Sequence, residues 1–117
     1  MDISPQAQHM VLQLQQYQQQ AQTILIQKQQ IETQLTDVMS ALESLEGVKN
    51  EDVYKAVGPI LAKMKAKDVK KELDDRRETL ELRIKTLTRQ EGKVNEKVTE
   101  LSDKVTKLIQ GPAGPIA

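Results

Sequence analysis

The sequence contains no cysteine, no phenylalanine and no tryptophan, and tyrosine occurs only twice. Without cysteine, neither a disulfide framework nor a thiolate metal site can form. Because large aromatic side chains supply much of the buried area of compact cores, a thick globular core is not expected. These absences favour a thin helical structure over a compact one.

An excess of charge of either sign is also missing, because 17 basic and 17 acidic residues give a net charge of zero. A neutral chain is not expected to bind nucleic acid or a lipid surface. No apolar run approaches the ~18 residues that a transmembrane helix needs, and the N-terminus has no signal-peptide pattern. We therefore expect a cytoplasmic protein with no membrane or nucleic-acid partner.

The sequence gives little support for catalysis. Its single histidine, His9, falls in the first turns of a predicted helix, where contact with solvent is expected. No nucleophile–base pair, phosphate-binding loop or metal-ligand spacing is present. We expect a protein that is not an enzyme and that has no cofactor or metal site.

What the sequence does contain, from Pro5 to Glu46, is the apolar spacing of a coiled-coil helix without internal glycine or proline. Pro5 suits a first helical turn, and Ser4 before it is a plausible N-cap. Seam residues recur at alternating spacings of three and four, and Lys28 is the polar exception among them. The seam consists of Ala7, Met10, Leu14, Tyr17, Ala21, Ile24, Lys28, Ile31, Leu35, Val38, Leu42 and Leu45. We predict a first helix over residues 5–46.

The central segment, residues 47–66, has the pattern of a β-hairpin. Gly47 is expected to end the first helix, as glycine does just beyond a helix C-terminus. Two short β-competent runs, 53–57 and 60–64, flank Gly58-Pro59, which suits a type II′ turn. In that register one face carries Val53, Lys55, Val57, Ile60, Ala62 and Met64, and the other carries Tyr54, Ala56, Leu61 and Lys63.

A second coiled-coil helix is predicted over residues 68–110, followed by a Gly/Pro-rich tail over 111–117 that we expect to be disordered. Its seam has two polar positions, Arg77 and Glu91. The seam consists of Leu73, Arg77, Leu80, Ile84, Leu87, Glu91, Val94, Val98, Leu101, Val105 and Leu108. The whole chain is thus expected to form one structural unit.

The two helices have matching seams if they run antiparallel. One register places Leu42 opposite Leu73 and continues in step to Ala7 opposite Leu108. The same register brings Lys28 within one turn of Glu91, so we predict a contact between their side chains. The alternative is that both charged groups extend past their apolar stems into water.

A thin helix pair buries little surface, and two strands alone are barely stable in water. The predicted fold class is therefore mostly α: an antiparallel two-helix coiled coil with a central β-hairpin, assembling through the hairpins into an oligomer with projecting arms. Packing of the hairpin on this chain's own helix ends is the alternative, although one hairpin cannot cover both of its faces. The predicted interface consists of Val53, Tyr54, Val57, Ile60, Leu61, Ala62 and Met64.

Three segments resemble the beta subunits of archaeal-type prefoldin: the end of the glutamine-rich first arm at 42–45, the central segment 53–61 and the second-arm stretch 80–91. The Gly-Pro turn and the Gly/Pro tail depart from the family pattern. The resemblance implies a heterohexamer of two alpha and four beta subunits whose hairpins join into β-barrels. It also implies that unfolded polypeptides are held at the arm tips without ATP and passed to a group II chaperonin.

Client binding requires apolar side chains near the ends of the arms, and flexible methionine suits varied partners. The candidate client-binding residues are Ile3, Met10, Val11, Leu12, Val105, Leu108 and Ile109. Met10, Val105 and Leu108 are equally explained as seam residues. The alternative function is a structural coiled-coil scaffold or tether, which would pair in parallel between molecules, whereas an enzyme accessory role has no positive feature in its favour.

Overall fold

In a computed structural model of the chain, residues 4–110 are described, and a two-stranded sheet follows one long helix and precedes another along the chain. Helix α1 spans Pro5–Ser44, strand β1 Asp52–Val57, strand β2 Ile60–Lys65 and helix α2 Ala66–Gln110. The predicted helix–hairpin–helix fold is confirmed. Ile3 and the tail predicted over residues 111–117 lie outside the described residues.

Helix α1 begins with the predicted cap. The Ser4 hydroxyl oxygen accepts a hydrogen bond from the Ala7 N–H at 3.1 Å, and the Ser4 carbonyl accepts one from the Gln8 N–H at 2.9 Å. The first N–H groups of a helix have no partner inside the helix, so a side-chain acceptor at this position stabilises the helix start.

Helix α1 ends at Ser44, two residues before the predicted boundary, because the chain tightens into a turn. The Leu45 N–H lies 3.2 Å from the Ala41 carbonyl and 3.1 Å from the Leu42 carbonyl. Such shared, tightened bonds are common in the last turn of a helix. Gly47 then adopts a φ of 81°, a left-handed conformation that glycine takes without steric cost.

The hairpin has the predicted register. Val57 pairs with Ile60 next to the turn, and the pairing continues to Asp52 with Lys65. Gly58 has a φ of 58°, which suits the first central position of a type II′ turn. Side chains of paired residues point to the same side of a sheet, so the two faces are the predicted ones.

Helix α2 starts at Ala66, two residues earlier than predicted, because β2 passes into it without a linker. The Ala66 N–H donates to the Glu51 carbonyl at 3.0 Å, just before β1. Ala66 is fully buried. The strand-to-helix change thus occurs at a close contact that the strand and helix patterns alone do not reveal.

The chain divides into two compact units, one formed by residues up to Lys28 together with those from Thr86 onward, and the other by Gln29–Lys85. In the first unit, the seam side chains from Ala7 to Lys28 and from Leu87 to Val105 are buried or half-buried. Leu108 is the exception, since it is exposed. The apolar stripes of the two helix segments therefore form the core of this unit.

In the second unit, the seam side chains from Ile31 to Leu45 and from Leu73 to Ile84 are likewise buried or half-buried. Ile31, Val38 and Leu80 are the most enclosed of these, each less than a tenth exposed. The hairpin belongs to the same unit. Its core is thus the helix seam, and the inward face of the hairpin is half-buried.

The first unit contains the predicted contact between the two polar seam residues. The Lys28 ammonium donates to a Glu91 carboxylate oxygen at 3.2 Å, and their side chains are 21% and 22% exposed. The direct contact is confirmed, and the alternative that both groups extend separately into water is wrong. This ion pair also shows that the two helix segments meet in the predicted antiparallel register.

Candidate functional site: the hairpin and the helix ends

One face of the hairpin lies against the chain itself. Val53, Ala62 and Met64 are half-buried on this face, as is Lys55 between them. The Lys55 ammonium forms an ion pair with Glu72 of α2. The inward face is therefore fixed by both apolar burial and a charged contact to the helix that follows.

The other face is exposed and carries Tyr54, Ala56 and Leu61 together with the charged Lys63, which forms an ion pair with Asp52. Leu61 is 70% exposed and Tyr54 is 67% exposed, far more than such residues are in a packed core. Next to the turn, Val57 and Ile60 are exposed as well, although they share the inward face. We call these four residues the hairpin surface. Clustered exposed apolar side chains on a two-stranded sheet with open edges are typical of a protein–protein contact.

The seven residues predicted at the interface thus separate into two groups. Four form the hairpin surface, while Val53, Ala62 and Met64 are half-buried on the inward face. The alternative, in which the hairpin packs only on this chain's own helices, describes the inward face alone. A partner on the hairpin surface remains a prediction.

The candidate client-binding residues also differ in their exposure. Leu12, Leu108 and Ile109 are exposed, and Leu12 is the most open of them at 58%. Met10 and Val11 are half-buried, and Val105 is buried in the seam of the first unit. We call Leu12, Leu108 and Ile109 the helix-end surface, because they lie near the start of α1 and the end of α2.

Other exposed apolar residues were not expected from the sequence. Leu82 is 65% exposed on α2, and Leu25, Ile26 and Met39 are exposed on α1. Each of them follows a seam residue by one or two positions, which places it on the outer side of the helix. This spacing is the feature of the sequence from which their exposure could have been predicted. Single exposed apolar residues are normal on protein surfaces, so we assign them no role.

The described residues contain neither a cluster suited to a metal ion nor a helix suited to crossing a membrane. Within residues 4–110 there is no cluster of three or more His, Asp or Glu side chains able to hold a metal ion. In the same range, no helix is both long enough and apolar enough to cross a membrane. The surfaces that stand out are therefore apolar contact surfaces.

Comparison with known proteins agrees with this geometry. A family model described as "Prefoldin subunit" matches residues 8–112. The chain belongs to the prefoldin subunit family. It is 49% identical over 114 residues to the prefoldin subunit beta of Archaeoglobus fulgidus, covering 97% of this chain and 98% of the relative. It is 41% identical to the prefoldin subunit beta of Pyrococcus abyssi, covering 95% and 96%.

A solved prefoldin structure has the same fold. The crystal structure of the prefoldin beta subunit from Thermococcus strain KS-1 superposes with a TM-score of 0.86 at 39% identity. The match covers 95% of this chain and 98% of that one. The resemblance to the beta-type subunit is therefore confirmed. Membership of this family supports a role as a chaperone-type subunit, and the family is not known to contain enzymes.

Proposed function

We propose that this chain is an ATP-independent holding subunit. It assembles through its hairpin with alpha-type prefoldin subunits, as four beta chains with two alpha chains, in the cytoplasm. The assembly binds unfolded polypeptides through apolar residues at the helix ends and delivers them to a group II chaperonin. Membership of the prefoldin family, over nearly the whole chain, is the observation that carries this proposal.

The hairpin surface supports the assembly step. Tyr54 and Leu61 present apolar area that a subunit on its own leaves in contact with water. Burying a leucine side chain stabilises a contact by about 1.5–3 kcal/mol, and a tyrosine adds a large planar area. Several subunits that bury this surface together would also cover the open strand edges.

The helix-end surface supports the client step. Leu12 and Ile109 are exposed aliphatic side chains near opposite chain ends, and the half-buried Met10, two residues before Leu12 along α1, has a flexible thioether. Unfolded polypeptides expose apolar side chains of many shapes. Contacts of this kind are non-directional, so they can hold varied clients without a defined pocket.

Suppression of aggregation tests the proposal. A chemically denatured model protein is diluted into buffer without ATP, in the presence of this chain, an alpha-type prefoldin subunit, or both, and light scattering is recorded. We expect suppression by the mixture, weaker suppression by either chain alone, and no change when ATP is added. A mixture that is assembled by native mass spectrometry yet gives no protection contradicts the proposal and favours the scaffold alternative.

A further inference from the structure

Three contacts tie the segment before and within β1 to the start of α2. The Lys70 ammonium donates to the Val48 carbonyl, and the Ala66 N–H donates to the Glu51 carbonyl at 3.0 Å. The third contact is the ion pair between Lys55 and Glu72. The first two hold the backbone that leads into the hairpin, whereas the third joins the middle of a strand directly to the helix.

The position of Lys55 is unusual for a charged residue. It lies opposite Ala62 in the strand register, on a face whose other side chains are apolar. Its side chain is 39% exposed and that of Glu72 is 50% exposed. A pair this exposed contributes only about 0–1 kcal/mol to stability. A gain in stability therefore explains poorly why this ion pair lies on the inward face. An effect on the orientation of the hairpin relative to α2 explains it better.

A strand anchored only at its base can tilt and twist relative to the helix. Lys55 lies three positions beyond Asp52, where β1 begins, so its contact with Glu72 opposes that motion away from the base. A surface that keeps its orientation before binding loses less conformational freedom when it binds. The hairpin surface would benefit in this way, because its Tyr54 and Leu61 lie on the face of the hairpin opposite Lys55.

We propose that the Lys55–Glu72 ion pair is an orienting contact. It holds the hairpin at the angle at which the hairpin surface meets the hairpins of other subunits. Lys55 and Glu72 are thus positioning residues that act through Tyr54 and Leu61. This inference rests on the proposed assembly through the hairpin. It adds that an ion pair within the chain orients the hairpin before assembly.

Charge reversal tests the inference in the full-length chain. Lys55→Glu and Glu72→Lys are each mixed with an alpha-type prefoldin subunit, and native mass spectrometry measures the concentration at which half of the chains are assembled. We expect each single reversal to raise that concentration roughly tenfold, because two like charges then face each other where the hairpin meets α2. The double variant K55E/E72K restores the pair and should return to within about threefold of the unmodified chain.

Two controls separate orientation from folding. The pair Lys104–Glu100 on α2 has a similar exposure, so K104E and E100K repeat the charge changes away from the hairpin and should leave assembly unchanged. Each unmixed variant should have the helix content of the unmodified chain by circular dichroism. Its melting temperature should lie within a few degrees of that of the unmodified chain. Loss of helix content in step with loss of assembly would mean a merely structural role and overturn the inference.

The variant Leu61→Asp separates this inference from the proposed function. If Leu61→Asp assembles normally, assembly through the hairpin surface is itself wrong. If Leu61→Asp fails to assemble while K55E and E72K assemble as well as the unmodified chain, the orienting role alone is overturned. A double variant that shows no recovery also overturns it, because the two side chains then act independently.

Discussion

Lys28 and Glu91 show how two charged residues can occupy an apolar seam. Each is only about a fifth exposed, and the two atoms that meet are 3.2 Å apart. Removing two such groups from water costs energy that their mutual attraction roughly balances, so the pair adds little net stability. Its value lies in alignment, because a shift of one helix along the other would separate the two charges.

A double-mutant cycle tests this interpretation. Lys28→Met and Glu91→Met should each lower the free energy of unfolding by about 1–2 kcal/mol, because each leaves one half-buried charge without its partner. The double variant should be within about 1 kcal/mol of the unmodified chain or more stable. Urea unfolding at one fixed protein concentration measures all four proteins. If the double variant lost as much unfolding free energy as the two single variants together, the two side chains would not interact, which would contradict the ion pair.

A pH effect is expected at Glu100. The Lys104 ammonium donates to its carboxylate at 3.2 Å and Lys97 lies at 3.7 Å, and these two cations lower the pKa of Glu100 below its ordinary value of 4.5. A carboxyl group whose pKa is lower in the folded state than in the unfolded state stabilises the fold at pH values above its pKa in the unfolded state. That stabilisation is lost as the pH falls through the pKa of the folded state. The side chain is exposed to solvent, so the effect is small.

The variant Glu100→Gln isolates that effect. Between pH 7 and pH 3 the melting temperature of the unmodified chain should fall slightly more than that of the variant, and the gap should narrow in 1 M salt because screening weakens exposed pairs. Parallel melting curves across the whole pH range would show that Glu100 makes no such contribution.

At the scale of helices and strands, the sequence predicted most of what is found. The heptad spacing identified the side chains that are enclosed, since repeating apolar positions determine which stripe of a helix faces its partner. Gly58-Pro59 identified the hairpin and its two faces, because a two-residue turn fixes the strand register. These features depend on neighbouring residues, so they are readable from local patterns.

The features that were not predicted depend on contacts between distant residues. The early start of α2 follows from Ala66 packing beside the Glu51 carbonyl, and the Lys55–Glu72 pair follows from how the hairpin folds back on the helix. Leu108 is exposed, which is one of the two possibilities that the sequence left open, although its heptad position alone favours burial. Near a helix end, however, there are fewer neighbouring side chains to cover it.

Two glycine substitutions should have opposite effects on stability. Gly92 lies inside α2, and an added Cβ there meets no atom within 4 Å, so Gly92→Ala should raise the free energy of unfolding by roughly 1 kcal/mol. Gly58 has the same free space but a φ of 58°, so Gly58→Ala should lower that free energy by roughly 1 kcal/mol. Urea unfolding distinguishes them, and effects of the same sign would contradict this conformational explanation.

At the scale of the whole molecule, the hairpin surface and the helix-end surface are expected to have separate roles. The former is proposed to hold subunits together and the latter to hold clients. The first role was predicted from the two apolar faces of the hairpin, which one chain cannot cover. The second role was implied by the family resemblance, because a seam residue and a client-binding residue are both apolar. The exposure of Leu61 and Leu12 agrees with both predictions.

Matched leucine substitutions test the first role. Leu61 and Leu82 are similarly exposed, at 70% and 65%, but only Leu61 belongs to the hairpin surface. Leu61→Asp should weaken assembly with an alpha-type subunit by at least about tenfold, because a carboxylate would be buried at the interface. Leu82→Asp should leave assembly unchanged. Sedimentation velocity measures both, and equal effects would argue against the hairpin as the interface.

The most direct test of the central claim locates the bound client. A photo-crosslinking amino acid is placed at position 12, 109 or 82 of the chain, and each variant is assembled with an alpha-type subunit and illuminated with a denatured client. The prediction is crosslinking to the client from positions 12 and 109, with little from position 82, although Leu82 is more exposed than either Leu12 or Ile109. Crosslinking from position 82 but not from positions 12 and 109 would contradict client binding at the helix ends.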